Sequence, residues 1–315
     1  MALLIIGSHR TEDFFEATQA TAPDRDVRMW PDIGDPGEIH HALAWHPPAG
    51  ELKKMANLKS IVSVGAGVDH LFTDSDLPPV PIVRYIDPDL TGRMVEYVTL
   101  HTLLHTRRMV EYREQQTQRQ WQYLPEPAAY QVRVGIMGIG VLGAAAAGTL
   151  KGIGYQVRGW SRSPKSIEGV DCFAGDAQLD AFLANTDILA VLLPLTSDTR
   201  GIINRDLLKR LSREGRHQRL PGPILINAGR GGLQVEKDIL AALDAGELAA
   251  ASLDVFETEP LPTDSPIWAH PRIVVTPHNA AESTPDSITA YFLRHVERME
   301  RGEPLENVVD PAAGY

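Results

Sequence analysis

Three short segments carry side chains suited to proton transfer and anion binding: Asn227-Ala228-Gly229-Arg230-Gly231-Gly232, Leu253-Asp254-Val255-Phe256-Glu257-Thr258-Glu259-Pro260 and Thr276-Pro277-His278. Histidine exchanges protons near neutral pH, a neighbouring carboxylate favours its protonated form, and an arginine fork matches a planar carboxylate. Taken singly, Arg230 reads equally well as a surface ion-pair partner, Glu259 as a solvated loop residue and His278 as a structural histidine. Taken jointly, they supply an anion clamp, a general acid and a carboxylate that orients the acid. That is the set required to reduce a 2-oxoacid.

A second chemical feature lies upstream. An apolar, strand-like run at 132–136 leads into Gly138-Ile139-Gly140-Val141-Leu142-Gly143, and a helical run follows at 144–150. With a strand before it and a helix after it, this spacing is a dinucleotide fingerprint. The first glycine permits the tight turn, the second lets the backbone approach a pyrophosphate, and the third lets helix and strand pack closely. The segment Gly65-Ala66-Gly67-Val68-Asp69-His70 also follows a strand-like run, but His70 stands where a third glycine belongs. It reads as a small anion-binding nest suited to a carboxylate, or equally as a plain tight turn.

The next strand of the nucleotide-binding region ends Gly159-Trp160-Ser161-Arg162-Ser163, with no acid where an NAD site places one on the ribose. Ser161, Arg162 and Ser163, with Lys165, suit a 2'-phosphate, which points to NADPH with NADH weaker; the alternative is a solvated basic loop.

These residues must be held by alternating elements. Strand-like runs at 3–6, 61–64 and 82–85, with a helical run at 12–20, set the rhythm of a small α/β domain with parallel strands. A longer series follows, with strands at 132–136, 155–160, 188–193, 224–226, 250–253 and 273–275, each expected after a helix. In such sheets ligands gather beyond the carboxyl ends of the strands, where the three segments fall. From Gly92 to Gln120 no further Pro or Gly occurs, which predicts one long helix linking two domains. After Pro285 a helical pattern returns and ends in a Gly- and Pro-marked tail.

The length of 315 residues suits about two domains at roughly 150 residues each. A formal net charge of -11 argues against nucleic acid as a partner. No apolar stretch reaches the roughly 18 residues of a membrane span, and the run at 3–6 is too short for a signal-peptide core, so a cytoplasmic protein is expected. Cys172 is the only cysteine. It excludes an internal disulfide and a cysteine-based zinc site, and reads as an ordinary buried or half-buried residue. His40-His41 and His101 with His105 have metal-like spacing but no carboxylate to complete a set, so no metal is expected.

The glycine loop, Asn-Ala-Gly-Arg-Gly, Leu-Asp-Val-Phe-Glu-Thr-Glu-Pro-Leu-Pro and Thr-Pro-His together resemble the D-isomer-specific 2-hydroxyacid dehydrogenase family over nearly the whole chain. Trp160-Ser161-Arg162-Ser163, Leu193-Pro194-Leu195-Thr196 and Ser265-Pro266-Ile267-Trp268 look most like its branch acting on glyoxylate and hydroxypyruvate, which also lacks the ribose acid. The resemblance implies two Rossmann- or flavodoxin-like doubly wound parallel-sheet domains. A substrate-binding domain, 1–98 with 285–315, would be interrupted by an NAD(P)-binding domain at 99–284.

The resemblance further implies that Arg230 binds the substrate carboxylate and carbonyl, that His278 donates the proton as hydride arrives, and that Glu259 keeps His278 protonated. Gly65, Ala66 and Gly67 would hold the substrate carboxylate, with Trp45 walling the pocket. Gly138, Gly140, Val141, Leu142, Gly143, Ser161, Arg162, Ser163, Leu193, Pro194, Ala228 and Asp254 would meet the cofactor, Asp254 near the nicotinamide carboxamide. The expected partners are a small 2-oxoacid and a second copy of the chain, which Trp121 could reach. Another 2-oxoacid such as phenylpyruvate, or a dinucleotide-sensing corepressor-like role, are the competing readings.

Overall fold

The computed structural model describes residues 1–8, 10–212 and 214–311. The chain divides into two compact units, Met1–Leu90 with Ser283–Tyr315, and Thr91–Glu282.

In the first unit β1 (Ala2–Gly7), α1 (Thr11–Thr21), β2 (Asp26–Met29), β3 (Ile39–Trp45), β4 (Ser60–Ser63) and β5 (Ile82–Val83) follow in sequence. They form a sheet of order β2-β1-β3-β4-β5 with every pairing parallel. The order is that of a flavodoxin-like doubly wound sheet. Its core collects Leu4, Ile6, Ile39, Ala42, Leu52, Ile61, Val68 and Ile82. Two strands, β2 and β3, lie outside the runs expected from sequence. In β3 the His40-His41 pair hides the strand pattern: His41 is buried with Nδ1 2.8 Å from Ser60 Oγ, tying β3 to β4.

α2 (Pro88–Thr106) crosses the boundary into the second unit, followed by α3 (Met109–Thr117), β6 (Arg133–Met137), α4 (Val141–Ile153), β7 (Gln156–Ser161), β8 (Asp171–Ala174) and α5 (Gly175–Ala184). Then come β9 (Ile188–Val191), α6 (Arg205–Lys209), β10 (Ile224–Asn227), α7 (Glu236–Asp244), β11 (Ala250–Leu253) and β12 (Ile273–Val275). The seven-stranded sheet runs β12-β11-β10-β9-β6-β7-β8, all parallel, and its order reverses between β6 and β9. This is the Rossmann arrangement extended by one strand. Apolar clusters cover both faces, which is why its central strands are continuously apolar rather than alternating.

Three expectations need correction here. The single helix over 92–120 is two helices: α2 begins four residues earlier, with Pro88 in its first turn, and Arg108 breaks the run in the left-handed region at φ 56°. The cause is tertiary. Thr106 is buried with its hydroxyl 2.8 Å from Tyr155 Oη, whereas α3 has no buried residue to keep it in line with α2. The strand β12 is preceded only by a single 3-10 turn, Pro266–Ala269, rather than a full helix. Finally, β8, with Cys172 partly buried on it, had no counterpart among the expected strands.

The last helix, α8 (Pro285–Glu300), belongs to the first unit. It packs on α1, where Thr18 Oγ1 lies 3.3 Å from Thr289 Oγ1 and Arg25 Nη2 donates to Glu300 Oε2 at 2.7 Å. The tail then pairs with β5, Val309 N donating to Ile82 O at 2.8 Å and Arg84 N to Asn307 O at 3.1 Å. No helix among the described residues is long and apolar enough to cross a membrane.

Candidate active site

The segments carrying Arg230, Glu259 and His278 follow β10, β11 and β12, three neighbours in the sheet of the second unit. Arg230 stands on a turn that a buried amide pair fixes. Asn227 Oδ1 accepts from Gly229 N at 3.1 Å, and its Nδ2 donates to Arg230 O at 3.2 Å and to Gln234 Oε1 at 2.8 Å. Gln234 Nε2 donates onward to Val255 O at 2.9 Å, tying this turn to the segment after β11. The two segments touch so closely that a Cβ at Gly231 would sit 1.7 Å from Phe256 O. Arg230 itself is partly buried, with Nη1 2.9 Å from Gly229 O.

Both oxygens of Glu259 are engaged. Oε1 accepts from Phe256 N at 2.9 Å and Oε2 lies 2.7 Å from His278 Nδ1. Burial pushes the Glu259 pKa up, but the hydrogen bonds from His278 and Phe256 and the charges of His278 and Arg230 outweigh it, leaving the group below its ordinary value. Glu259 is therefore a carboxylate at neutral pH. It takes the proton on Nδ1 of His278, so Nε2 is the ring atom presented outward. His278 has a left-handed backbone at φ 54°, a conformation costing a non-glycine residue on the order of 1 kcal/mol. Its N–H donates to Asp254 O at 2.8 Å and lies 3.1 Å from Thr276 O.

Asp254 is buried directly after β11 and its carboxylate is ringed by the histidine's own loop. Oδ1 accepts from Thr276 Oγ1 at 2.6 Å and Asn279 N at 3.0 Å, and Oδ2 from Ala280 N at 3.0 Å.

The cofactor fingerprint sits at the switch point, between β6 and α4. Gly138 turns at φ 106°, where a Cβ would lie 2.7 Å from Leu192 O, and a Cβ at Gly143 would lie 2.1 Å from Gly138 O. The turn thus rests on the 192–194 segment, where Leu193 is buried and the Pro194 carbonyl accepts from Thr199 Oγ1 at 2.7 Å. Ala228 is buried beside β9, its N–H donating to Val191 O at 3.2 Å.

Gly140 differs from its neighbours: a Cβ there would meet nothing within 4 Å. The protein's own packing does not require glycine at 140. Gly140 opens α4 with no side-chain cap, and the first helical donation runs from Ala144 N to Gly140 O, which leaves the N–H groups of Val141, Leu142 and Gly143 without helical acceptors. Open space in front of such a helix end fits the pyrophosphate of a dinucleotide.

At the end of β7, Arg162 and Ser163 are exposed and no carboxylate stands among 161–163. Ser161 donates its hydroxyl proton inside the loop, to Ser163 O at 2.8 Å.

In the first unit, Gly65, Ala66 and Gly67 form a half-buried turn after β4, and none has a positive φ. Glycine at 65 serves a different purpose: the ring of Trp45, at the end of β3, lies where a Cβ would be, with Cζ3 at 2.8 Å. Trp45 also packs 4.4 Å from His70 between ring centroids. Trp121 lies beyond α3 and is fully exposed.

Sequence reasoning assigned no part to Asn227, Gln234, Tyr97 or Thr276. Asn227, Gln234 and Tyr97 are buried and Thr276 partly so, and each polar side chain finds a hydrogen-bond partner that only the fold brings into reach.

The family model of the D-isomer specific 2-hydroxyacid dehydrogenase NAD binding domain matches residues 99–280, more than half of the chain. The chain belongs to the D-isomer specific 2-hydroxyacid dehydrogenase family. Among curated members of the family it is 41% identical to the glyoxylate/hydroxypyruvate reductase A of Klebsiella pneumoniae (strain 342), covering 99% of both chains. It is 39% identical to the protein of the same name from Yersinia enterocolitica, covering 96% of this chain and 97% of the relative. Among solved family structures, an NADPH-dependent glyoxylate/hydroxypyruvate reductase from Sinorhizobium meliloti, in complex with NADP and sulfate, superposes with a TM-score of 0.93 at 44% identity, covering 100% and 99% of the two chains. A D-isomer specific 2-hydroxyacid dehydrogenase from Xanthobacter autotrophicus Py2, in complex with NADPH and MES, gives 0.90 at 40% identity with the same coverage.

Proposed function

We propose that this chain reduces glyoxylate to glycolate and hydroxypyruvate to D-glycerate, with NADPH preferred over NADH. The observation that carries the reading is the 2.7 Å pair between His278 and an ionised Glu259, with the Arg230 charge acting on the same carboxylate. Its wider support is the close likeness, over the full chain, to reductases so named.

Bound NADPH supplies hydride to the carbonyl carbon. Arg230 holds the carboxylate and carbonyl of the 2-oxoacid through its planar fork. Protonated His278 donates from Nε2 to the carbonyl oxygen, which leaves the carbinol and a neutral imidazole that keeps its Nδ1 proton. Glu259 stabilises the charged imidazole before the transfer and fixes the ring throughout. Gly138, Gly140 and Gly143 with the first turn of α4 would hold the pyrophosphate, Arg162 and Ser163 the 2'-phosphate, and Leu193, Pro194, Ala228 and Asp254 the nicotinamide end. In the first unit the reading assigns the carboxylate-facing turn to Gly65, Ala66 and Gly67, beside the Trp45 ring.

The same reading makes the protein a cytoplasmic homodimer. Leu100, Met109, Trp121 and Tyr123 are exposed apolar side chains on the second unit, the kind of surface a second copy would cover. Light scattering that returned a monomer at micromolar concentration would remove this part.

The deciding experiment is a matrix of NADPH and NADH against glyoxylate, hydroxypyruvate, phenylpyruvate and pyruvate. The reading expects the highest kcat/KM with NADPH and the first two acids, and Arg162→Ala lowering NADPH efficiency roughly tenfold while sparing NADH. Equal efficiencies with the two cofactors would overturn the NADPH assignment. No turnover with any acid would overturn the enzyme reading in favour of a dinucleotide sensor.

A further inference from the structure

Tyr97, His101 and His105 lie four residues apart along α2, so they form one stripe of a single helix face. All three are buried, although two carry imidazoles and one a phenol. Each is tied to the strand or loop that leads to the active-site histidine. His101 Nδ1 lies 2.7 Å and His105 Nε2 2.8 Å from Ser252 Oγ, on β11 two residues before Asp254. Tyr97 stacks on His101 at 4.1 Å between ring centroids and places its Oη 2.9 Å from Thr276 Oγ1.

The direction of these hydrogen bonds follows from counting protons. The Thr276 hydroxyl has one proton and sends it to Asp254 Oδ1 at 2.6 Å. Tyr97 Oη must then be the donor to Thr276. Burial holds the Tyr97 phenol well above its ordinary value, with the Asp254 charge adding to the rise against the opposing Thr276 bond, so this donor keeps its proton at every working pH. Asp254 in turn collects the backbone N–H groups of Asn279 and Ala280, and its own carbonyl takes the N–H of His278. These three donors to that carboxylate all come from the loop 276–280. A loop wrapped on one carboxylate is rigid only if the carboxylate is itself held, and Thr276 backed by Tyr97 holds it.

We propose that Tyr97 and Thr276 are positioning residues for His278: the chain Tyr97 to Thr276 to Asp254 sets the left-handed backbone that aims its Nε2. The inference rests on the proton-donor role of His278 proposed above. It assigns to α2 a part in chemistry although none of these side chains is required to touch substrate.

The test compares Tyr97→Phe, Thr276→Val and Thr276→Ser with the unaltered protein in steady-state turnover of glyoxylate with NADPH. Tyr97→Phe and Thr276→Val are expected to lower kcat on the order of tenfold, because small misplacement of a reacting group is costly, with both KM values within about twofold. Thr276→Ser keeps the hydroxyl and is expected to restore most of kcat. The double variant Tyr97→Phe/Thr276→Val should be no slower than Thr276→Val alone, since both break one chain. Wild-type kcat in Tyr97→Phe and Thr276→Val, or equal losses in Thr276→Val and Thr276→Ser, would overturn the inference. So would KM values rising in step with the loss of kcat, the mark of a generally loosened site. Should Tyr97→Phe fail to fold, the Val and Ser pair at 276 decides alone. His278→Ala keeps the two proposals separable: if it retains full activity the proton-donor role falls, whereas if it is inactive and the Tyr97 and Thr276 variants are unaffected, only the positioning role falls.

Discussion

The glycine-rich turns after β6 and after β4 each follow a buried parallel strand, and they use the missing side chain in different ways. At Gly138 and Gly143 the backbone folds onto itself: a left-handed turn and a carbonyl 2.1 Å from a would-be Cβ leave no room for any other residue. At Gly65 the backbone is ordinary and the vacated space is filled by the Trp45 indole, a side chain that can move. In the first turn glycine shapes the main chain; in the second it makes room for an aromatic wall. Gly140 belongs to neither case, because nothing of the protein crowds it.

The largest effect should come from Gly143→Ala. The clash is with backbone, so helix α4 must shift away from β6, and a loss of about 3 kcal/mol or more in urea unfolding, with NADPH binding lost, is expected. A variant as stable as the parent would mean the turn relaxes as freely as the one at 65.

Acid should separate the two units next. Burial lowers His101 to about 4 and His105 to about 3, in the second unit, and His41 to about 4 in the first. A histidine neutral in the fold and protonatable when unfolded contributes stability that is whole above its unfolded pKa of about 6.5 and is lost as pH falls toward the folded value. Each contributes a slope of up to about 1.4 kcal/mol per pH unit. Hydrogen exchange followed between pH 6.5 and 4.5 should therefore show β11 losing protection more steeply than β3, and His105→Gln should narrow the difference.

Gly65→Ala should cost less, about 1 to 2 kcal/mol, since the ring can swing aside. The penalty should vanish in a Trp45→Ala background; a penalty that persists there would place the constraint in the backbone after all. The smallest effect on stability belongs to Gly140→Ala, within about 0.5 kcal/mol by thermal melting. Yet KM for NADPH should rise roughly tenfold, the signature of space kept for a ligand rather than for the fold. An unchanged KM would leave Gly140 without that purpose.

Much of this site could be read directly from residue order. The strand into Gly138, Gly140 and Gly143 and the segments bearing Arg230, Glu259 and His278 are local patterns, set by spacings of a few residues, and the structure brings the last three onto adjacent strand ends. The acceptor of the Ser161 hydroxyl, Ser163 O, is a backbone group two residues away, which residue types do not announce. What spacing could not reveal was long-range: Tyr97 meets Thr276 across 179 residues and His101 meets Ser252 across 151. The i, i+4 histidines share a partner, a serine on β11, that carries no sequence signature. The break at Arg108 was hidden likewise, being decided by where Thr106 and Tyr155 meet.

The tail that pairs with β5 has a consequence for how the polypeptide is born. The first unit's strands leave the ribosome before residue 91, but α8 and residues 307–309, which cover α1 and the sheet edge at Ile82, emerge only after the whole second unit. At about 5–20 residues per second that interval lasts roughly 10 to 40 s, during which the five-stranded sheet lacks one cover and its edge stays unpaired. The segment made first is thus completed last, and the nascent chain depends on the inserted unit folding promptly while the edge at Ile82 waits.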